Sequence, residues 1–188
     1  MSLPAPDFAT TIATSEPAHA PAPAPFAWPI RVYYEDTDAG GIVFYANYLK
    51  FFERARTEWL RQAGIGQQEM TQRDGVMFVV KSTALDYHVP GRLDDTLSVT
   101  VSVEKLGRAS VQFEQRAWRV DASGTTLLAQ GRIKVGCVDL AALRPCAIPP
   151  SVLEAIRTAH FPCDDTAHST RPGPALTATA FAVQSKNP

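Results

Sequence analysis

Residues 97–104 alternate apolar and polar side chains without a break, with Leu97, Val99, Val101 and Val103 set against Ser98, Thr100, Ser102 and Glu104. A period of two puts each set on its own face of a pleated strand, so one face is buried and the other meets water. The alternation recurs after the Gly107-Arg108 turn, with Ala109, Val111 and Phe113 against Ser110, Gln112 and Glu114. It returns beyond the "DASG" turn (121–124), with Ile133, Val135 and Cys137 against Arg132 and Lys134. Adding Val76 to Tyr87, and "WPIRVYYE" (28–35) with Pro29 only at its start, gives a run of antiparallel strands. Strands as long, regular and proline-free as 97–103 and 109–113 also imply a sheet edge that invites pairing with a second chain.

One segment breaks the period. From Phe44 to Ala63 the apolar residues Tyr45, Tyr48, Leu49, Phe52, Ala55, Trp59 and Ala63 fall at helical spacing, opposite Lys50, Arg54, Thr57 and Arg61. Gly64 supplies the stop, and a short second helix is expected over Gln67–Arg73. An antiparallel sheet with one apolar face and one long apolar helix predict an α+β domain in which the sheet packs on the helix.

The flanks carry no such pattern. Of the first 25 residues 13 are Ala or Pro, and from His160 onward Pro, Thr, Ala and Ser mix without periodicity. The folded unit is therefore expected over residues 28–159, between a disordered leader (1–27) and a disordered tail (160–188). Residues 28–159 hold 16 basic and 15 acidic residues, which gives no field for nucleic acid or an anionic membrane. No stretch is long and apolar enough for a membrane span. Cys137, Cys146 and Cys163 share no CxxC spacing and cannot all pair, and the first basic residue is Arg31. The expected location is a reducing cytoplasm, with no secretory address.

The chemistry concentrates in "VYYEDTDAGGIVFYANYLKFFERARTEWLR" (32–61), where Glu35, Asp36 and Asp38 precede Gly40-Gly41 and the helix. As a calcium loop it fails, because Gly40 and Asn47 stand where an oxygen ligand and a bidentate Glu are needed. As helix caps the acids are reasonable, but two glycines at a helix start cost stability unless backbone must be approached closely. The remaining reading joins a carboxylate to free first-turn amides. The amides stabilise a developing oxyanion, and the carboxylate attacks an activated acyl group or deprotonates a water that does so.

The same residues resemble a known family. "DAGGIVFYANY" fits the Asp-x-x-Gly-Ile-Val-x-Tyr-x-Asn-Tyr pattern shared by the hotdog-fold acyl-CoA thioesterases associated with the Tol–Pal system and the related 4-hydroxybenzoyl-CoA thioesterases. The likeness continues through "LDYHVPGRLDDTL" (85–97), "LGRASVQFEQR" (106–116) and "KVGCVD" (134–139), about residues 28–158 in all. The resemblance implies a sheet wrapped around the long helix, a homodimer or homotetramer with active sites between subunits, and hydrolysis of acyl-CoA without a cofactor. It also implies Asp38 as nucleophile or general base, and the amides from Gly41 to Tyr45 as the groups that polarise the carbonyl. An envelope or lipid-synthesis protein partner follows from the same likeness. Tol–Pal-associated members usually have His where this chain has Tyr45, whereas the 4-hydroxybenzoyl-CoA enzymes have Tyr, so aromatic and aliphatic substrates both stay open.

Other residues carry weaker signals. Glu53 lies on the helix, where some hotdog thioesterases place their carboxylate, but beside Arg54 and Arg56 it reads as a structural charge. His88 sits between a strand and a Pro-Gly turn, either lining a pocket or satisfied locally. Lys105, Arg108 and Ser110 surround a strand turn, and by resemblance they are candidates for a CoA phosphate. "HFPC" (160–163) with His168 forms no metal-ligand array. A non-catalytic acyl-CoA-binding or scaffolding protein of the same fold is the rival from another class, and Asp38 separates the two. A dehydratase of this fold needs a loop His, and none occurs between residues 20 and 87.

Overall fold

The computed structural model describes residues 26–122 and 124–160. Among the described residues five strands form one antiparallel sheet: β1 (Phe26–Arg31), β2 (Val76–Tyr87), β3 (Thr96–Leu106), β4 (Ser110–Asp121) and β5 (Gly124–Asp139), in the order β1-β3-β4-β5-β2. The alternation read from the sequence sets its faces. Leu97, Val99, Val101 and Val103 of β3 pack inward beside Val111 and Phe113 of β4 and Ile133, Val135 and Cys137 of β5.

Helix α1 (Asn47–Gln62) lies across that inner face and buries Tyr48, Phe51, Phe52, Ala55, Trp59 and Leu60. Burying a side chain of this size is worth about 1.5–3 kcal/mol, so α1 and the sheet hold each other far more strongly than helix propensity could. Trp59 meets Phe113 edge-on with ring centroids 5.6 Å apart. The stop at Gly64 is a Schellman turn: Gly64 N–H donates to Arg61 O, Ile65 N–H donates to Leu60 O, and Gly64 takes φ +78°. Helix α2 (Gln67–Asp74) follows and ends at Gly75.

Four expectations change. The long helix starts at Asn47 rather than Phe44, because Val43 and Phe44 still donate to Gly91 O and Asp36 O in extended backbone. The first strand ends at Arg31, after which residues 34–36 turn as a short 3-10 helix. The regular strands 97–103 and 109–113 belong to β3 and β4, which are interior, and the edges are β1 and β2. A third helix, α3 (Pro150–His160), stands where no element was expected and buries Val152 and Ile156. The leader before Phe26 and the tail beyond His160 lie outside the described residues, and β1 begins two residues before the expected start of the folded unit.

Candidate active site

The acidic segment folds as a tight hairpin rather than as a helix cap. Thr37 bridges Val43, Asp38 N–H donates to Ile42 O, and Gly41 N–H donates back to Asp38 O at 3.0 Å. This is a turn followed by a left-handed residue, and Gly41 fills that position with φ +71°. Gly40 N–H donates to Asp38 Oδ1 at 2.8 Å, and a side chain at Gly40 would sit 3.1 Å from that oxygen. The two glycines therefore serve the hairpin and fix the Asp38 carboxylate, and the Gly41 amide is engaged within it.

The three acids part company here. Asp36 is 2% exposed, and its Oδ2 accepts from Tyr33 N–H at 2.9 Å. Its carbonyl accepts from Phe44 N–H and from the buried Asn47 side chain at 3.0 Å. Asp36 thus ties the hairpin to the first residue of α1. Glu35 is exposed, and its carbonyl receives a second, 3.4 Å bond from Asn47. Asp38 is exposed at the tip, with only Oδ1 engaged within the hairpin.

The hairpin's return strand leads straight to the head of α1. There the amides of Tyr45 and Ala46 have no acceptor among the described residues, and they precede a helix whose dipole favours negative charge. The Tyr45 ring is exposed and lies 4.6 Å from Phe44 and 6.4 Å from Tyr87 between centroids. Tyr87 OH donates to Tyr45 O at 3.1 Å, bracing the segment from the end of β2. A cleft of about 260 Å³ opens beside it, lined by Ile42, Tyr45, Tyr48, Tyr87, His88 and Pro90. His88 accordingly faces the cleft. Burial raises the Tyr48 phenol above its ordinary pKa, and its oxygen accepts from Gly91 N–H at 3.2 Å.

Glu53 lies further along α1. Its Oε1 accepts from the Thr57 hydroxyl at 2.8 Å, and it borders a cavity of about 110 Å³ with Arg56, Leu60, Phe78 and Ile156. Arg56 is a functional-looking residue that sequence reasoning passed over. It is 8% exposed, donates to Gln115 Oε1 at 2.7 Å, and is pushed down to about 10 by burial, against the pull of Glu53. The signal was its position between Phe52 and Trp59 on the apolar stripe, where a basic residue is out of place.

Lys105, Arg108 and Ser110 flank the β3–β4 turn, where Gly107 N–H donates to Ser110 O. They do not meet Asp38 within one chain. The hairpin and Arg92 adjoin the start of β3, through the Ile42–Arg92 bridge and the Val32 N–H to Asp95 O bond. From Thr96 to Leu106 the strand takes ten steps of about 3.3 Å, so the turn lies at the opposite end of β3, about 33 Å along the strand. The side chains of His160, Cys163 and His168 lie outside the described residues. Among the described residues no helix is long and apolar enough to cross a membrane.

Residues 32–156 match the profile of the family described as the thioesterase-like superfamily. The acyl-CoA thioesterase YbgC of Haemophilus influenzae is 48% identical over 130 residues, covering 69% of this chain and 93% of that one. The acyl-CoA thioester hydrolase YbgC of Escherichia coli is 42% identical over 128 residues, covering 68% and 92%. A solved 1,4-dihydroxy-2-naphthoyl-CoA thioesterase from Synechocystis superposes with a TM-score of 0.64 over 71% of this chain and 96% of that one. At 20% identity that likeness establishes the fold alone.

Proposed function

The chain belongs to the thioesterase-like superfamily and has its hotdog fold, and on that premise we propose that it is an acyl-CoA thioesterase in which Asp38 does the hydrolytic work. One observation carries the assignment. Of the two aspartates in the hairpin, Asp36 is buried and spent on Tyr33 N–H, whereas Asp38 is exposed and held by Gly40 N–H. The thioester carbonyl accepts hydrogen bonds from the amides at the head of α1, with Tyr45 first. The Gly41 amide joins only if it releases Asp38 O. Asp38 then either attacks the carbonyl carbon and expels CoA as a thiolate, leaving an anhydride for water to open, or deprotonates the water that attacks directly. A thiolate leaves readily, so no strong general acid is required. Non-catalytic acyl-CoA binding has no use for an exposed carboxylate in this position.

The working unit in this reading is a homodimer or a dimer of dimers, in the cytoplasm. Edge strand β2 is exposed on both faces from Val79 to Ala84, whereas β1 is six residues long and contains Pro29. Two-fold pairing through β2 is antiparallel, so it sets the hairpin end of one sheet beside the β3–β4 turn of the other. Lys105, Arg108 and Ser110 of the partner subunit then become available to the CoA phosphates. The Tol–Pal association and an envelope or lipid-synthesis partner belong to the same proposal and rest on the motif resemblance.

Thiol release from a panel of aliphatic and aromatic acyl-CoAs tests it directly. Asp38→Asn keeps an oxygen for Gly40 N–H but removes the charge, so turnover should fall at least ~100-fold with folding unchanged. Asp36→Asn should instead lower the melting temperature. If Asp36→Asn abolished turnover in a stable protein while Asp38→Asn did not, the assignment would be wrong.

A further inference from the structure

We propose that Cys137 and Cys146 are a dithiol that closes reversibly to a disulfide by exchange with a small-molecule disulfide, clasping the end of β5 to the segment that enters α3. Their Sγ atoms lie 3.6 Å apart. The register is a built one: Val138 bridges Pro145, Asp139 N–H donates to Arg144 O at 2.9 Å, and Cys146 N–H donates to Cys137 O at 3.0 Å. Cys137 and Cys146 therefore face each other across two antiparallel segments. Residues opposed in this way have Cα atoms about 5.5 Å apart, inside the range that a disulfide spans. Bond formation needs the sulfurs to close to about 2.05 Å. Cys146 can make that approach, because it sits in an exposed connection, whereas Cys137 is fixed in the sheet and fully buried.

The asymmetry sets the order of events. Burial, and the hydrogen bond and charge of Cys146, push the Cys137 thiol up to about 12, so it is a poor first nucleophile. The partly exposed Cys146 attacks one sulfur of the small disulfide, breaks its S–S bond and releases one small thiol. Cys137 then attacks Cys146 Sγ and expels the second small thiol, which takes up the proton that Cys137 loses. The two protein thiols give up two electrons and two protons, and the small disulfide receives them as two thiols. In a reducing cytoplasm the pair stays open until such disulfides accumulate. Closure pins the chain just before Ile148, whose N–H donates to Arg108 O, and so fixes the approach of α3. Ile156 of α3 lines the cavity beside Arg56, so the clasp stiffens a wall of that cavity.

The test uses the full chain with Cys163→Ser, so that only this pair can react, incubated with oxidised glutathione. The expected product is a chain lighter by two hydrogens, with no free thiol and no disulfide to a second chain. Its melting temperature should rise by roughly 5–10 °C, the gain for a ring of about ten residues in a domain of this size, and should return on reduction. In the same background Cys146→Ala should block every adduct, and Cys137→Ala should leave a long-lived glutathione adduct on Cys146. A glutathione adduct that persists on the unsubstituted pair, a disulfide between chains, thiols that stay free, or a closed ring that melts lower would each overturn the proposal.

Discussion

Gly131 sits in the middle of β5, buried under α1, and replacing it with alanine measures how tightly the helix is seated. A Cβ built there lies 2.8 Å from Phe52 Cε2, 3.2 Å from Phe52 Cδ2 and 3.1 Å from Ile133 Cδ1. Carbon atoms prefer about 3.5–4.0 Å, so the closest contact is too short by about 0.7–1.2 Å. Neither side can give easily. Gly131 is paired with Gln115 on one flank and Leu85 on the other, so the strand cannot retreat without breaking two ladders. Phe52 is fully buried on α1 and cannot swing to solvent. Overpacking of this kind costs about 1–3 kcal/mol, which for a domain of this size lowers the melting temperature by about 4–10 °C. The unfolded-state effect of Gly→Ala has the opposite sign and reaches only about 0.4–1 kcal/mol. Phe52→Leu removes the offending ring atoms, so in a double-mutant cycle Gly131→Ala should cost much less in that background. Urea and thermal melts of the four proteins supply the cycle. A Gly131→Ala protein as stable as the parent, or equal costs in both backgrounds, would refute the close seating of α1.

The buried Arg56–Gln115 pair should behave as a unit. Gln115→Leu leaves a desolvated guanidinium without its partner and removes the side-chain donor to the Phe52 carbonyl, so it should cost about 3–5 kcal/mol, whereas Arg56→Met with Gln115→Leu should come close to the parent. Because burial lowers the Arg56 pKa to about 10, the penalty for its charge is present throughout neutral pH. The parent should therefore gain stability relative to the double variant as pH rises from about 10 toward 12.5, which paired melts of the two would show or deny. Placing Asp at both Val79 and Thr83 sets like charges along edge β2, and sedimentation should then find a 20.4 kDa monomer with turnover lost. An active monomer would sink both the β2 interface and the shared site.

The strands were legible because an unbroken period of two leaves few alternatives over eight residues, and β3 runs from Thr96 to Leu106 around it. The Gly64 stop was legible for a similar reason, since a helix that must bury Ile65 next needs the left-handed turn that glycine allows. The start of α1 was not, because Phe44 and Tyr45 look helical by pattern while tertiary hydrogen bonds to Asp36 and Gly91 hold residues 43–44 extended. Helix α3 escaped because it is short and borders a patternless tail, although Pro150 at its first position and the apolar residues Val152, Leu153 and Ile156 were there to read. Nothing local separated Asp36 from Asp38. Their different burial is decided by Tyr33 N–H on one side and Gly40 N–H on the other, which only the closed hairpin brings into place.

In the proposed reading, the distance between Asp38 and the candidate CoA contacts Lys105, Arg108 and Ser110 ties assembly to chemistry. If both Asp38 and the basic turn contact one nucleotide-bearing thioester, as proposed, they lie at opposite ends of β3, about 33 Å along the strand, and a single subunit does not bring them together. Lengthening the substrate does not help, because α1 fills the inner face of the sheet between them. In the proposed dimer, rotation about a two-fold at β2 reverses the partner's strands and exchanges its ends, so the edge that leaves hydrogen-bonding groups unpaired would also bring the partner's basic turn to the hairpin. Strand β1 offers no equal alternative, since Pro29 removes a donor from its edge. In the dimer proposed above, the exposed stretch of β2 from Val79 to Ala84 is the edge that completes the site, and hydrolysis would then depend on the dimer for geometry before it depended on it for stability.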